Sequence, residues 1–280
     1  MLRSFLCFAV MVLMIFWCTA VTAQYFYRDI WNARQLNKEM FVLKEEKIKT
    51  IVIKSFDNDG EPSQGFFCEK RIGKNYTFSE TVTRSDITSQ SLLTSYFNSK
   101  GLISRTADSS ESSLNTAEYL YNSSDNIIAV QTFTTANDDL NSIDESHDYF
   151  YNAAGQLEKM VRKKNNLEIS VVNFKVDEKG NVTDEEEVLK NGRGTKYFYY
   201  YDGKNNLTDV VHYNQRARRL LPDYMYEYST GGQLKQMITT EEGGGYFIWK
   251  YTYNDQKLRE TERCFSKEKK LLGSVQYIYK

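Results

Sequence analysis

Aromatic and aliphatic residues recur at alternate positions along most of the chain, and each run ends in a short polar segment with Gly, Asn or Asp. The stretch 148–157, Asp-Tyr-Phe-Tyr-Asn-Ala-Ala-Gly-Gln-Leu, shows the pattern most clearly. Tyr149 and Tyr151 are two residues apart, so they project from the same face of a strand. Asn152 can close a turn with its side chain, and Gly155 can adopt positive φ without a Cβ clash. The stretch therefore predicts a strand, a tight turn and a returning strand.

Variants of this stretch recur from about Ser95 to the last residue. The second aromatic position, which is Val in one copy, falls at residues 97, 121, 151, 176, 201, 228, 253 and 279. Where the turn position is not Gly it is Asn, Asp or Lys, and Asn and Asp tolerate left-handed backbone best. Internal periods of 20–50 residues are typical of stacked supersecondary units. We therefore expect an all-β antiparallel meander of about fifteen strands, with a period of about 25 residues, forming an open curved sheet or a barrel-like array.

One segment has the period of a helix instead of a strand. Five apolar residues stand there at helical spacing: Ile30, Ala33, Leu36, Met40 and Leu43. The spacing predicts a helix over residues 29–46, with Asp29 as its N-cap. The helix could bind a partner, or it could cover the first edge or the open end of the sheet. We favour the covering role, because sheet edges and array ends need protection, and we expect Trp31 and Leu36 to be buried.

The first 23 residues have the pattern of a secretory signal peptide. Arg3 supplies positive charge, an apolar run extends from Phe5 to Trp17, and small residues at Val21-Thr-Ala23 allow cleavage before Gln24. No later stretch approaches the ~18 apolar residues of a spanning helix, so we expect no membrane span after signal cleavage. The expected organisation is a signal peptide at 1–23, a helical cap at 24–46, irregular β-hairpins at 47–94 and a regular hairpin array at 95–280.

Groups that could carry catalysis are sparse. The net charge is −1, which gives no broad attraction to nucleic acid. His147 and His212 fall in different repeats, whereas a zinc site normally uses three or four ligands. Acidic runs such as residues 184–187 are typical of solvated loops, although paired carboxylates could in principle hydrolyse glycosides. We expect a protein that is not an enzyme and uses no metal or cofactor.

Two cysteines, Cys68 and Cys264, remain after signal cleavage. In an exported protein they could form a disulfide, which would require the two ends of the array to meet. The alternative is two separately buried thiols.

The tyrosines that share one strand face have two interpretations. Cross-strand aromatic pairs stabilise a sheet by roughly 0.2–1 kcal/mol each, which is a purely structural role. A flat aromatic face can also bind sugars or peptides. The candidate binding residues are Tyr151, Tyr201, Tyr228, Trp249 and Tyr253. A binding face requires several of them to be exposed on one concave surface, whereas a structural ladder requires them to be covered.

The repeat resembles the tyrosine-aspartate (YD) repeat of the Rhs family, whose units run Tyr-x-Tyr-Asp-x-x-Gly-x-Leu. The most similar copies are Tyr151-Asn152 to Leu157, Tyr201-Asp202 to Leu207 and Tyr228 to Leu234, and the likeness covers roughly residues 95–280. This chain has a longer period, and Asn or Ser often replaces the Asp. The resemblance implies antiparallel sheets of hairpins that coil into shells or open curved sheets. It also implies carbohydrate binding or cell-surface contact, in a small protein exported to the periplasm or cell surface of a Gram-negative bacterium.

The resulting functional hypothesis is an exported, non-catalytic module that binds a glycan or another cell-envelope protein. One alternative is a structural or assembly component of the envelope whose tyrosines only hold the sheet. A glycoside hydrolase that uses paired carboxylates is the third candidate.

Overall fold

The computed structural model describes residues 26–86, 88–136, 142–214, 217–241 and 244–280. The predicted signal peptide at residues 1–23 lies outside these ranges. Within the described ranges, one helix, α1 (Tyr27–Glu45), precedes eighteen strands that belong to a single antiparallel sheet.

The first nine strands are β1 (Thr50–Asp57), β2 (Phe67–Ile72), β3 (Phe78–Arg84), β4 (Ser91–Phe97), β5 (Ile103–Ser109), β6 (Ser113–Tyr121), β7 (Ile127–Ala136), β8 (Ser142–Tyr151) and β9 (Leu157–Lys164). The remaining nine are β10 (Leu167–Val176), β11 (Val182–Leu189), β12 (Gly192–Tyr201), β13 (Leu207–Asn214), β14 (Arg219–Tyr228), β15 (Leu234–Thr240), β16 (Tyr246–Tyr253), β17 (Arg259–Phe265) and β18 (Leu271–Tyr279).

The sheet closes on itself as a barrel. Each strand pairs with the next along the chain, and β1 pairs with both β2 and β18. At the closing pair Ile51 lies opposite Tyr279, and the Thr50 N–H donates to the Lys280 carbonyl at 2.9 Å. The expected all-β fold with one helix is confirmed, in its barrel form. The expected count of about fifteen strands is too low, because the described residues form eighteen.

Seven turns at one end of the barrel share one geometry, and we call this end the turn end. They span residues 98–102, 122–126, 152–156, 177–181, 202–206, 229–233 and 254–258. In the turn that begins at Asn152, the Asn152 N–H donates to the carbonyl of Gln156, and the Gly155 N–H donates back to Asn152. The fourth residue has positive φ whether it is Gly155 (76°), Asn205 (64°) or Lys257 (62°). A β-bulge accompanies each of these turns, as expected when a left-handed residue closes a hairpin.

Tyrosine hydroxyls join most hairpins of the turn end to a neighbouring hairpin. Tyr201, at the end of β12, donates its hydroxyl to the carbonyl of Val182, the first residue of β11, at 2.9 Å. We call this contact a tyrosine latch. Six residues make it: Tyr121, Tyr151, Tyr201, Tyr228, Tyr253 and Tyr279. Each latch satisfies a carbonyl beside a turn, where the regular strand pairing ends.

Helix α1 lies within the barrel, enclosed by its wall, and crosses the lumen near the turn end. Its contacts reach strands on widely separated parts of the closed sheet. They link the helix start to Glu185 on β11, Trp31 to Tyr226 on β14, Asn37 to Ile103 on β5 and Glu39 to Lys70 on β2. Because these strands surround the lumen, the helix runs from the β11 side across to the β2 side. Because the sheet is closed, it has no first edge for the helix to cover. Of the two expected positions, the helix therefore takes the open end of the barrel.

The buried face of α1 differs from the expected one. The residues with little exposure are Tyr27, Ile30, Ala33, Met40 and Leu43. Trp31 and Leu36 are half-buried, so the prediction that both would be buried is wrong. At about 100° per residue, Trp31 lies on the flank of the buried stripe, whereas Leu36 lies within it between Met40 and Leu43. Asn37 takes the position one turn after Ala33, and its side chain accepts the Ile103 N–H at 2.7 Å.

Truncating the buried face should destabilise the barrel. Leu43 is 2% exposed, so Leu43→Ala should lower the free energy of unfolding by about 2–5 kcal/mol. Phe41 is 63% exposed on the same helix, so Phe41→Ala should change it by less than about 0.5 kcal/mol. Urea unfolding of the mature chain measures both. Equal losses would contradict the assigned helix face.

Removing one latch should have a smaller effect. Tyr201→Phe keeps the ring but leaves the Val182 carbonyl without its donor, so the free energy of unfolding should fall by about 1 kcal/mol. Tyr200→Phe on the outer face of the same strand is the matched control and should be neutral, because Tyr200 is 48% exposed. A neutral Tyr201→Phe would show that the latch contributes no net stability.

Candidate functional site

The predicted binding residues all lie on the inner face of the barrel. Trp249 is 3% exposed, and its indole N–H lies 3.4 Å from the Thr239 hydroxyl. The four tyrosines are half-buried, and each donates its hydroxyl to a strand carbonyl: Tyr151, Tyr201, Tyr228 and Tyr253. Their polar tips are therefore used by the wall, which is the arrangement that a structural ladder requires.

A distant carboxylate caps the start of α1. Glu185 on β11 is 1% exposed and accepts the backbone N–H groups of Phe26 at 2.7 Å and Tyr27 at 2.9 Å. These are among the amides that a helix leaves without an internal partner. The prediction that Asp29 caps the helix is wrong, because the helix begins two residues earlier and Asp29 lies in its first turn. Glu185 is 158 residues from Tyr27, so local sequence gives no signal for it.

Burial strongly perturbs the Glu185 carboxyl group. Desolvation raises its pKa to about 7, although the Tyr27 and Phe26 amides and the Tyr199 hydroxyl favour the charged form. The helix start is therefore bound by a group that changes its charge near neutral pH.

A chain of charged side chains runs beside this cap. The Asp29 carboxylate lies 2.6 Å from Nδ1 of His147, and Nε2 of His147 lies 3.1 Å from Glu145. Glu145 also accepts from Arg162 at 2.7 Å, and the Tyr149 hydroxyl donates to Asp29 at 2.8 Å. Strands β8 and β9 supply four of these groups and α1 the fifth, so the chain fixes the helix to the wall.

The charges in this chain reinforce one another. Burial would lower the pKa of His147, but the Asp29 and Glu145 carboxylates outweigh it and raise the value to about 9. Burial would raise the pKa of Glu145, but hydrogen bonds from His147 and Arg162 lower it to about 2. His147 and Glu145 are therefore both ionised at neutral pH, where they attract each other in a partly desolvated site.

This arrangement does not favour catalysis or metal binding. Asp29 and Glu145 bind opposite nitrogens of the same imidazole, so they do not face each other across an open cleft. A glycosidase needs two carboxylates on either side of a substrate bond. Within the residues that the structure describes, no three His, Cys, Asp or Glu side chains are placed to hold a metal ion.

A second ion pair, with a buried carboxylate, lies on the opposite side of the barrel. Arg259 is the first residue of β17, where the other turn-end hairpins have an aliphatic residue. Its guanidinium lies 2.6 Å from Glu262 and 4.7 Å from the centre of the Tyr251 ring. The Tyr277 hydroxyl donates to the same carboxylate at 2.6 Å. Leu258, the aliphatic residue before Arg259, is the final residue of the turn.

The cysteines are free thiols on different strands. Cys68 lies on β2 and Cys264 on β17, and both are buried. The array ends do meet, but β1 and β18 stand between the two cysteines, so about 14 Å separates their strands at ~4.8 Å per strand. A disulfide requires Cα atoms within about 7 Å, so the alternative of two separate thiols is the one observed.

A small cavity opens between α1 and the turn end. Its volume is about 90 Å³. Arg34 and Tyr27 line it from the helix, while Asn126, Tyr151 and Gln156 line it from the strands and turns. The sequence alone did not indicate this site, because its walls come from four separate segments.

Comparison with known proteins identifies no family. No family model matches the chain, and no curated protein matches it. The TcdB2-TccC3-TEV crystal structure is similar over 77% of this chain and 12% of that chain, with 11% identity and a TM-score of 0.35. A porin-like protein from Bacteroides uniformis is similar over 83% of this chain and 98% of that chain, with 10% identity and a TM-score of 0.31.

A third similar structure is the Photorhabdus luminescens Tc holotoxin pore. The likeness covers 75% of this chain and 13% of that chain, with 11% identity and a TM-score of 0.31. The chain thus spans about an eighth of the length of either toxin chain. Because every TM-score is below 0.5, we base no conclusion on these likenesses. In the described part of the chain, no helix has the length and apolar composition needed to cross a membrane.

Stability should depend on pH through the two groups that hold α1. A pKa raised on folding means that stability is lost as pH rises from the unfolded to the folded value. Glu185 should therefore reduce the free energy of unfolding between pH 4.5 and about 7, and His147 between pH 6.5 and about 9. Each step should be on the order of 3 kcal/mol.

Two variants separate these steps in urea unfolding at several pH values. Glu185→Gln should remove the loss of stability at the lower pH and keep the one at the higher pH. His147→Gln should remove the loss at the higher pH and keep the one at the lower pH. A pH profile that neither variant changes would contradict the assignment of these groups.

Proposed function

We propose that the chain is an exported, non-catalytic protein that binds another cell-envelope protein through the turn end of its barrel. The observation that carries this proposal is Phe41, which is 63% exposed on the outward face of α1. Aromatic side chains are enriched in protein interfaces because they provide large, rigid contact area. The inner tyrosines are latched to the wall, so at the turn end the outward helix face and the turns are the groups that can meet a partner.

The turns at the rim of the turn end are held to one another by side-chain contacts, so they form an ordered surface. Lysines reach from one turn to the next: Lys100 binds Asp125 at 2.6 Å, and Lys204 donates to the Thr230 carbonyl at 2.7 Å. Lys179 bonds Asn205 at 3.2 Å in the same way. A surface that is ordered before binding loses less conformational entropy on association.

The repeat assignment belongs to the same proposal. A YD-type, Rhs-like repeat with a period of about 25 residues is supported by the shared geometry of the seven turns and by the six tyrosine latches. Export to the periplasm or cell surface of a Gram-negative bacterium is supported by the signal-peptide pattern of residues 1–23.

A structural or assembly role is the second candidate. It is favoured by the latches themselves, which give the tyrosines a complete structural explanation. We propose no catalytic role, because Asp29 and Glu145 share one imidazole and have no common open cleft.

Peptide and glycan arrays probed with the mature chain, residues 24–280, test the proposal. We expect peptide binding that Phe41→Ala weakens at least about tenfold, the loss of one well-packed aromatic contact. Tyr200→Ala, on the outer wall, is the matched control and should leave binding unchanged. If peptide binding is unchanged in Phe41→Ala, the outward face of α1 is excluded as the binding surface. If the chain binds glycans and no peptides, a glycan is favoured as the ligand. No binding to either array would favour the structural role.

A further inference from the structure

Arg34 projects from α1 beside the small cavity at the turn end. In the part of the chain that the structure describes, no carboxylate oxygen lies within 4.0 Å of its guanidinium. Among the described residues, its side chain makes one hydrogen bond, from Nη1 to the Tyr27 hydroxyl at 3.0 Å. Because a guanidinium has five N–H donors in a planar fork, most of the donor capacity of Arg34 is left for another group.

Two acidic side chains in the turns of the same barrel end already have partners. The Asp177 carboxylate accepts from the amides of Lys179 and Asn181 in its own turn, at 2.9 Å each. Asp125 is paired with Lys100 at 2.6 Å. The positive charge of Arg34 is therefore not neutralised locally, and an anion entering the cavity would gain its attraction.

Arg34 is the one charged residue among the described residues that line the cavity. Tyr151 directs its hydroxyl proton at the carbonyl of Ile127, so it does not donate into the cavity. The side-chain amides of Asn126 and Gln156 line the wall opposite the helix.

The size of the cavity also fits a small charged group. A volume of about 90 Å³ exceeds what a single ordered water needs and suits a carboxylate with its first carbon atoms. A planar carboxylate matches the guanidinium fork through two parallel hydrogen bonds.

We propose that this cavity binds a carboxylate group through Arg34. The inference rests on the proposed function, since it names the chemical group that is recognised at the same end of the barrel. Arg34 and Phe41 are seven residues apart, so they lie on one face of α1, about 10 Å from each other along its axis. A partner that places an acidic group in the cavity can thus cover Phe41 at the same time.

Titration of the ¹⁵N-labelled mature chain with acetate tests the site directly. We expect acetate to shift the Arg34 side-chain Nε–H resonance in a saturable way. Acetamide, which has the same shape without the charge, should not. Arg34→Gln should weaken acetate binding at least about tenfold. The acetate affinity of Arg34→Lys should lie between those of Arg34→Gln and wild type, because Lys keeps the charge but lacks the planar guanidinium fork.

A control variant lies on the same helix. Lys38→Gln removes one positive charge one turn further along and should keep acetate affinity within about twofold of wild type. Equal affinity of Arg34→Gln and wild type would overturn the proposal, and so would acetamide binding as tightly as acetate.

The source of the carboxylate is tested with paired probes. A Gly-Gly peptide with a free C-terminus is compared with its amidated form, and glucuronate is compared with glucose. Tighter binding of the free peptide than of acetate supports a protein partner. If glucuronate binds more tightly than the free peptide, the Arg34 site is supported, but a protein is excluded as its occupant. Failure of acetate to bind removes the site even if Phe41→Ala weakens peptide binding on the arrays, because the two tests use different residues.

Discussion

The pairing of β1 with β18 is the constraint on which the rest of this structure depends. Seven residue pairs, from Ile51 opposite Tyr279 to Asp57 opposite Gly273, convert an open meander into a ring. A ring of eighteen strands encloses more space than its own side chains fill, because barrel diameter grows with strand number. The large inward tyrosines and helix α1 occupy that space at the turn end. The helix also shields the inner face from water, which an open curved sheet would leave exposed.

The tyrosine latches show how one residue type meets two demands. The ring supplies apolar area to the lumen, while the hydroxyl satisfies a carbonyl where strand pairing ends. Two of the eight predicted aromatic positions, Phe97 and Val176, have no hydroxyl and cannot make the latch. At β17 the expected aliphatic residue is replaced by Arg259, and Glu262 and Tyr277 satisfy its charge. The wall thus tolerates local departures from the pattern when a neighbouring strand supplies the missing partner.

Features set by a few adjacent residues could be predicted from the sequence, and features set by the closed wall could not. The turn at Asn152 and Gly155 follows from local backbone chemistry, so its geometry was predictable. Closure, the capping of α1 by Glu185 and the bond between Asp29 and His147 depend on residues more than one hundred positions apart. The helix was visible from its period, but its buried side was not. An apolar stripe fixes which residues can be buried, while the shape of the surrounding wall selects among them.

The closed ring also has a consequence for the order in which the protein folds. Hairpins of the turn end are local and can form early, but the seam between Ile51 and Tyr279 joins residues 228 positions apart. Bringing ends so distant together costs about 5 kcal/mol of chain entropy, to be recovered only when the seam is complete. Until then β1 and β18 each present an unpaired edge that another chain could join. During folding, ring closure within one chain therefore competes with edge-to-edge pairing between chains. Because only the second process speeds up with protein concentration, the yield of folded monomer depends on concentration.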